Sequence, residues 1–179
     1  MSLMLKAAFK GRVAMKGFST IVSLVALIAV APALVLAEDR AQGHVMVSPS
    51  MVMWQPPPPA LGVPKGAELA VLSGDPSQDG QPFVVRLKLP AHYQFSAHWH
   101  PTAEAVTVLS GTINIGMGDQ LDPAKAHALD TGGFVIMPAK IHHFAWTDTE
   151  TVIQVHGTGP LALNYVNPAD DPRQTQTSQ

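Results

Sequence analysis

The stretch Ser96-Ala-His98-Trp-His100-Pro-Thr-Ala-Glu104, followed by Val106-Thr-Val108-Leu-Ser-Gly111, decides how the rest of the chain is read. It sets two imidazoles one residue apart and a carboxylate four positions on, inside a run that reads as β-strand. Side chains at i and i+2 of a strand leave the same face, so His98 and His100 can point together at one ion while Trp99 points away. Pro101 breaks the strand, and the bend through Thr102 and Ala103 lets Glu104 return toward the same spot. A metal site is the natural use of this arrangement.

Working outward, residues 93–100 predict a strand on which Gln94, Ser96, His98 and His100 share one face. Residues 83–89 alternate cleanly: Phe83, Val85, Leu87 and Leu89 face a core, Arg86 and Lys88 face water. A first strand is expected over 67–73, closed by the turn at 74–80. Residues 104–109 and 112–117 predict a hairpin about Ser110-Gly111. A single helical turn at 122–125 precedes further strands at 134–137, 141–146, 151–156 and 161–166. Some nine short strands and no convincing helix mean an all-β sandwich or barrel. Polar groups inside a barrel are costly unless they bind something. Gln94 and Ser96, with Gln154 and His156 on a later strand, are therefore candidates for the wall of a ligand cavity or for outer partners of the metal ligands. His142 adjoins His143 and must face the opposite way.

The whole chain bounds these readings. Its 179 residues suit one domain. It has no cysteine, which excludes disulfides, thiolate zinc sites, iron–sulfur clusters and thiol catalysis. Lys6, Lys10, Arg12 and Lys16 precede an uncharged apolar run that ends at Val35-Leu-Ala37. This pattern marks 1–37 as a signal peptide cleaved after Ala37, with Met15 as a candidate true start and a retained membrane anchor as the alternative. The mature protein is then expected in the periplasm or secreted, without stable membrane association. Cleavage removes four of the 11 basic residues and none of the 13 acidic ones, leaving a formal charge of −6. Without clustered positive charge, no nucleic-acid partner is expected. Residues 38–66, with Trp54-Gln-Pro-Pro-Pro-Pro, predict an extended arm, either a linker or an arm laid across the barrel or a neighbouring subunit, anchored by Met51, Met53 and Trp54, with Pro56–Pro59 as a candidate contact between copies. The barrel is expected over 67–166, and 167–179 form a polar tail.

At this point the residues resemble the cupin superfamily, whose first motif runs G-x5-H-x-H-x3,4-E-x6-G. His98, His100, Glu104 and Gly111 fit its spacing, while His92 stands where the leading glycine would be. The second motif, G-x5-P-x-G-x2-H-x3-N, is matched by Gly132, Pro138 and His143, with Lys140 replacing its glycine and Thr147 its asparagine. The resemblance is to a small single-domain, type-2-like member. It implies a double-stranded β-helix, that is, a jelly-roll barrel, with His98, His100, Glu104 and His143 holding a divalent metal at its centre. By the same analogy a homodimer is expected. Lys140 makes the turn before His143 costlier if that residue needs a positive φ angle.

Three imidazoles and a carboxylate leave one or two positions of an octahedral ion open to water, dioxygen or a small substrate. These donors suit iron(II), manganese, nickel, copper or zinc. Two classes of function follow. One is a metal-dependent enzyme on a small organic molecule, dioxygenase- or isomerase-like. The other is a non-catalytic periplasmic module that binds or senses a metal or small ligand. No further carboxylate suggests a general base, so metal-centred chemistry or plain ligand binding is favoured over acid–base hydrolysis.

Overall fold

The computed structural model describes residues 44–174. The expected signal peptide, its cut after Ala37 and the end of the tail lie outside the described residues. Ten strands follow one another: β1 Glu68–Ser73, β2 Pro82–Leu89, β3 Gln94–Trp99, β4 Glu104–Ser110, β5 Thr112–Met117, β6 Ala126–Asp130, β7 Phe134–Met137, β8 His143–Trp146, β9 Thr151–Thr158 and β10 Asn164–Tyr165. They form two five-stranded antiparallel sheets, ordered β1-β2-β9-β4-β7 and β10-β3-β8-β5-β6. The sheets enclose one apolar core in which Val85, Leu89, Val108 and Val155 are almost wholly buried. On β2 the alternation holds, with Phe83, Val85, Leu87 and Leu89 inward. The all-β jelly-roll expectation is met.

The expected hairpin about Ser110-Gly111 is not formed. β4 pairs with β7 and β9, whereas β5 pairs with β6 and β8 in the other sheet. Gly111, at φ 77°, turns the chain at a corner between the sheets instead. The Thr151 hydroxyl holds this corner: it donates to the Thr112 carbonyl at 2.9 Å and accepts from the Thr112 N–H at 3.2 Å.

β6 falls where a loop was expected after the turn at Pro123–Lys125. It is an outer strand with most residues exposed, so it carries no apolar stripe to announce it. Within 161–166 only Asn164 and Tyr165 pair as strand, while Leu161 and Leu163 fill the core.

The proline-rich arm lies along the barrel. Gln55 exchanges both backbone hydrogen bonds with Leu69, and Lys88 Nζ sits 4.8 Å from the centre of the Trp54 ring. Leu61 is buried in the core. Met51 and Met53, expected as anchors beside Trp54, are 60% and 78% exposed. The segment from Ala60 to Pro64 is strapped down by side chains from across the fold. Tyr93 donates to the Pro64 carbonyl, Tyr165 to the Gly62 carbonyl, and Arg173 to the carbonyls of Ala60 and Leu163.

Candidate metal centre

β3 carries His98, and a β-bulge decides where it points. Phe95 pairs with Ala145, but His98 pairs with His143, so three steps on β3 match two on β8. The extra residue, within Ser96-Ala97, resets the alternation, and Phe95 and His98 both turn inward. Gln94 and Ser96 thereby leave the face on which they were placed. Gln94 is exposed, and both border a groove on the outside with Asp119 and Asn167. Gln154 and His156 also face outward, on the opposite sheet. Gln154 accepts from Arg86 Nε at 3.2 Å, and His156 is exposed. None of these four side chains lines the cavity; Ser96 takes part through its backbone only.

The bulge brings three histidines together. One nitrogen of each of His98, His100 and His143 lies within 4.8 Å of the others, and all three rings are buried. The ring centres of His98 and His143 are 4.3 Å apart. Each Nδ1 faces a backbone carbonyl: His98 to Ser96 at 2.7 Å, His100 to Ala162 at 2.9 Å and His143 to Ile141 at 3.0 Å. A carbonyl can only accept, so each Nδ1 holds the proton and Nε2 is the ring nitrogen turned toward the cluster, with its lone pair free on His98 and His143. These carbonyls were not legible in the sequence, because nothing in Gly159-Pro-Leu-Ala162 marks one as a partner for a histidine 62 positions away.

Glu104, at the start of β4, stands beside the cluster with Oε2 2.8 Å from His100 Nε2. With Nδ1 already donating, that contact in metal-free protein requires a second proton on His100. Burial works against the charge on His100, but the adjacent Glu104 carboxylate outweighs it and raises the histidine's pKa. Burial likewise pushes Glu104 up, yet His100 overrides it and holds the carboxyl at about 2. Burial lowers His98 well below its usual range, helped by His143 and His100, and lowers His143 also. A cation bound here would take the place of the proton shared by His100 and Glu104 and would meet two imidazoles that are already neutral. The donor set therefore fits a divalent metal.

These shifts set a pH dependence for the metal-free protein. A histidine held neutral costs stability once pH falls below its unfolded value of 6.5. His100 has the opposite sign, adding stability that is lost as pH rises through its elevated pKa. Glu104 adds stability above 4.5 that disappears toward 2. With two lowered histidines against one raised, urea unfolding should show stability declining from pH 7 to pH 5 and falling further below 4.5. A stability rising steadily into acid would contradict the neutral assignment of His98 and His143.

The turn before His143 bears the strain that the sequence suggested. Lys140 has φ 63°, and His92 has φ 59°; both stand where the cupin motifs carry glycine. The Lys140 N–H donates to the His100 carbonyl at 2.9 Å, tying this turn to a second histidine. Thr147, in the place of the motif's asparagine, clamps the other turn by donating to the Pro90 carbonyl at 2.8 Å and accepting from the Tyr93 N–H at 3.2 Å. A left-handed residue with a Cβ costs about 1–2 kcal/mol, and glycine's extra chain entropy returns about 0.5–1. Lys140→Gly and His92→Gly should each gain about 0.5–1 kcal/mol in urea unfolding, since the backbone bonds remain. A loss in both would mean the turns are not strained.

The cluster opens on a cavity of about 50 Å³ between the sheets. Apart from His98, His100, Glu104 and His143, its lining is apolar, including Phe95, Val106, Ile113, Ile115, Met137 and Ile153. Val63, from the strapped arm, lines this cavity and also borders the groove outside beside Pro64 and Arg173. His142, facing outward as expected, pairs with Asp119 at 2.6 Å.

The fold of two facing five-stranded sheets recurs in solved structures, a cupin among them. The polyketide cyclase RemF from Streptomyces resistomycificus is 14% identical, with 75% of this chain and 94% of that one covered at a TM-score of 0.57. A candidate acetylacetone dioxygenase from Methylibium petroleiphilum PM1 is 20% identical, with 73% and 85% covered at 0.55. An RmlC-like cupin from Shewanella frigidimarina NCIMB 400 is 12% identical, with 65% and 91% covered at 0.50. No curated protein matches the chain. The chain belongs to the family described as Domain of unknown function (DUF4437), which matches residues 40–164.

Proposed function

We propose that this protein is an exported, metal-dependent cupin enzyme acting on a small organic molecule. One observation carries the reading: three Nε2 atoms, oriented by three backbone carbonyls, converge beside a carboxylate at the wall of an apolar cavity. A bound divalent ion would supply Lewis acidity or oxygen activation there. His98, His100 and His143 would hold it, and Glu104 would serve as fourth ligand. The apolar wall excludes bulk water and strengthens every charge interaction at the ion. Export rests on the 1–37 segment. Pairing of two copies is supported by Phe134 and Ile136, 52% and 57% exposed on the outer face of the sheet that carries β7.

The reading is tested by metal analysis of the purified protein, followed by oxygen-uptake and isomerisation assays on small carbonyl compounds. Turnover that stops on chelation and returns with iron(II) or another divalent ion supports it. Tightly held metal with no turnover of any compound would favour the binding module instead. That alternative draws on Glu104, whose carboxylate is engaged with His100 and so is not free as a general base. Glu104→Gln separates three ligands from four, since it keeps a hydrogen-bonding group and removes the charge. Its metal affinity should fall about 10- to 100-fold, the range seen for weakening the surroundings of a metal site. Unchanged affinity would leave the three histidines alone as ligands.

A further inference from the structure

We infer that the ligand of this cavity is a small molecule with one oxygen-bearing head for the metal and hydrocarbon elsewhere. Sugars, polyols, amino acids and phosphate esters are excluded. This rests on the reading of the three histidines as metal ligands and adds what the rest of the cavity selects.

The side chains that could have recognised a hydroxyl lie elsewhere. The bulge at Ser96-Ala97 removes Gln94 and Ser96 from the interior and puts the Phe95 ring in their place. Gln154 and His156 face out from β9. Among the described residues no Lys or Arg lines the cavity, so none of them balances a phosphate or a second carboxylate there. The polar atoms that remain are committed. Each histidine Nδ1 serves a carbonyl, and Glu104 serves His100. Beyond His98, His100, Glu104 and His143 the cavity lining offers no polar side chain to a substrate. A hydroxyl placed against Ile113, Ile115 or Ile153 would lose its water and gain nothing. Size points the same way. A cavity of about 50 Å³ holds roughly three or four waters, which suits a ligand of a few heavy atoms.

The test uses pairs that differ by one methyl-to-hydroxyl exchange far from the head group. Zinc-loaded protein is titrated with butyrate and with 3-hydroxypropionate, following the methyl resonances of Ile113, Ile115 and Ile153. Metal-free protein is titrated in the same way with propan-1-ol and ethane-1,2-diol. Butyrate should bind about 10- to 100-fold more tightly than 3-hydroxypropionate, the discrimination an apolar pocket achieves against an added hydroxyl. Propan-1-ol should likewise shift the three isoleucines at concentrations where the diol does not. Equal binding within both pairs, preference for the hydroxylated member, or binding of no member overturns the inference. If the histidines take up no zinc but propan-1-ol is still preferred, the metal reading fails and the selectivity stands. If zinc binds but neither pair is discriminated, the reverse holds.

Discussion

His98→Ala is expected to leave a folded protein that binds its metal more than about 100-fold more weakly, beyond the loss from disturbing an outer partner. The substitution removes one of three converging Nε2 donors and opens the site on the β3 side. Folding should survive, because burial holds this imidazole neutral in the metal-free protein and no ion pair is lost with it. The cost is the packing of one ring and the hydrogen bond to the Ser96 carbonyl. His143→Ala should behave alike, since its ring lies 4.3 Å from that of His98 across the β3–β8 pair. The neighbouring His142→Ala is the control: that imidazole faces out toward Asp119, and metal binding should not change. Metal per chain after dialysis, with far-ultraviolet circular dichroism for the fold, reads all three. Full occupancy in both His98→Ala and His143→Ala would remove the site from this cluster.

Gly111→Ala should lose about 2–5 kcal/mol of stability. Its φ of 77° suits glycine, and a side chain in that region costs about 1–2 kcal/mol. A Cβ would also stand 2.6 Å from the Glu150 carbonyl oxygen and 2.6 Å from Thr151 Oγ1. Forcing an atom into a packed corner adds about 1–3 kcal/mol. Thr151 cannot step aside cheaply, because its hydroxyl pairs both backbone groups of Thr112 and accounts for much of the corner between the sheets. Gly80 isolates the two contributions: it has φ 70° and nothing within 4 Å of its added Cβ. Gly80→Ala should cost only the backbone part, about 1–2 kcal/mol. Urea unfolding of both variants gives the difference. Equal losses would show that the corner at Gly111 yields freely.

The spacing of His98, His100, Glu104 and His143 made their clustering legible, because such a cluster depends on a few side chains at countable intervals. The barrel was legible from alternation, most clearly on β2. What failed was face and partner. Gln94 and Ser96 were placed inward by assuming unbroken alternation, yet Phe95 and His98 stand an odd number of residues apart. Two residues that must both face inward at odd spacing imply a bulge, and that was the available signal. The choice between hairpin and corner at Gly111 had none, since a glycine turn between two strands serves both. β6 was missed because an outer strand exposed on both faces needs no pattern. The apolar wall of the cavity follows from the misjudged phase of β3 and from the outward face of β9, and no single residue could have announced it.

The strapped arm bears on where this chain can be shortened. Alternation alone suggests 67–166 as the barrel, but the packed unit extends past both limits. Trimming the N-terminal side to residue 67 would remove Leu61 from the core and Val63 from the cavity wall. It would also strand the hydroxyls of Tyr93 and Tyr165, which lose their carbonyl acceptors at Pro64 and Gly62. Trimming at 166 would take away Arg173, whose guanidinium joins Ala60 to Leu163. The smallest piece that keeps the metal cavity walled therefore runs from about Trp54 to Arg173, and the proline run belongs to it as masonry rather than as tether.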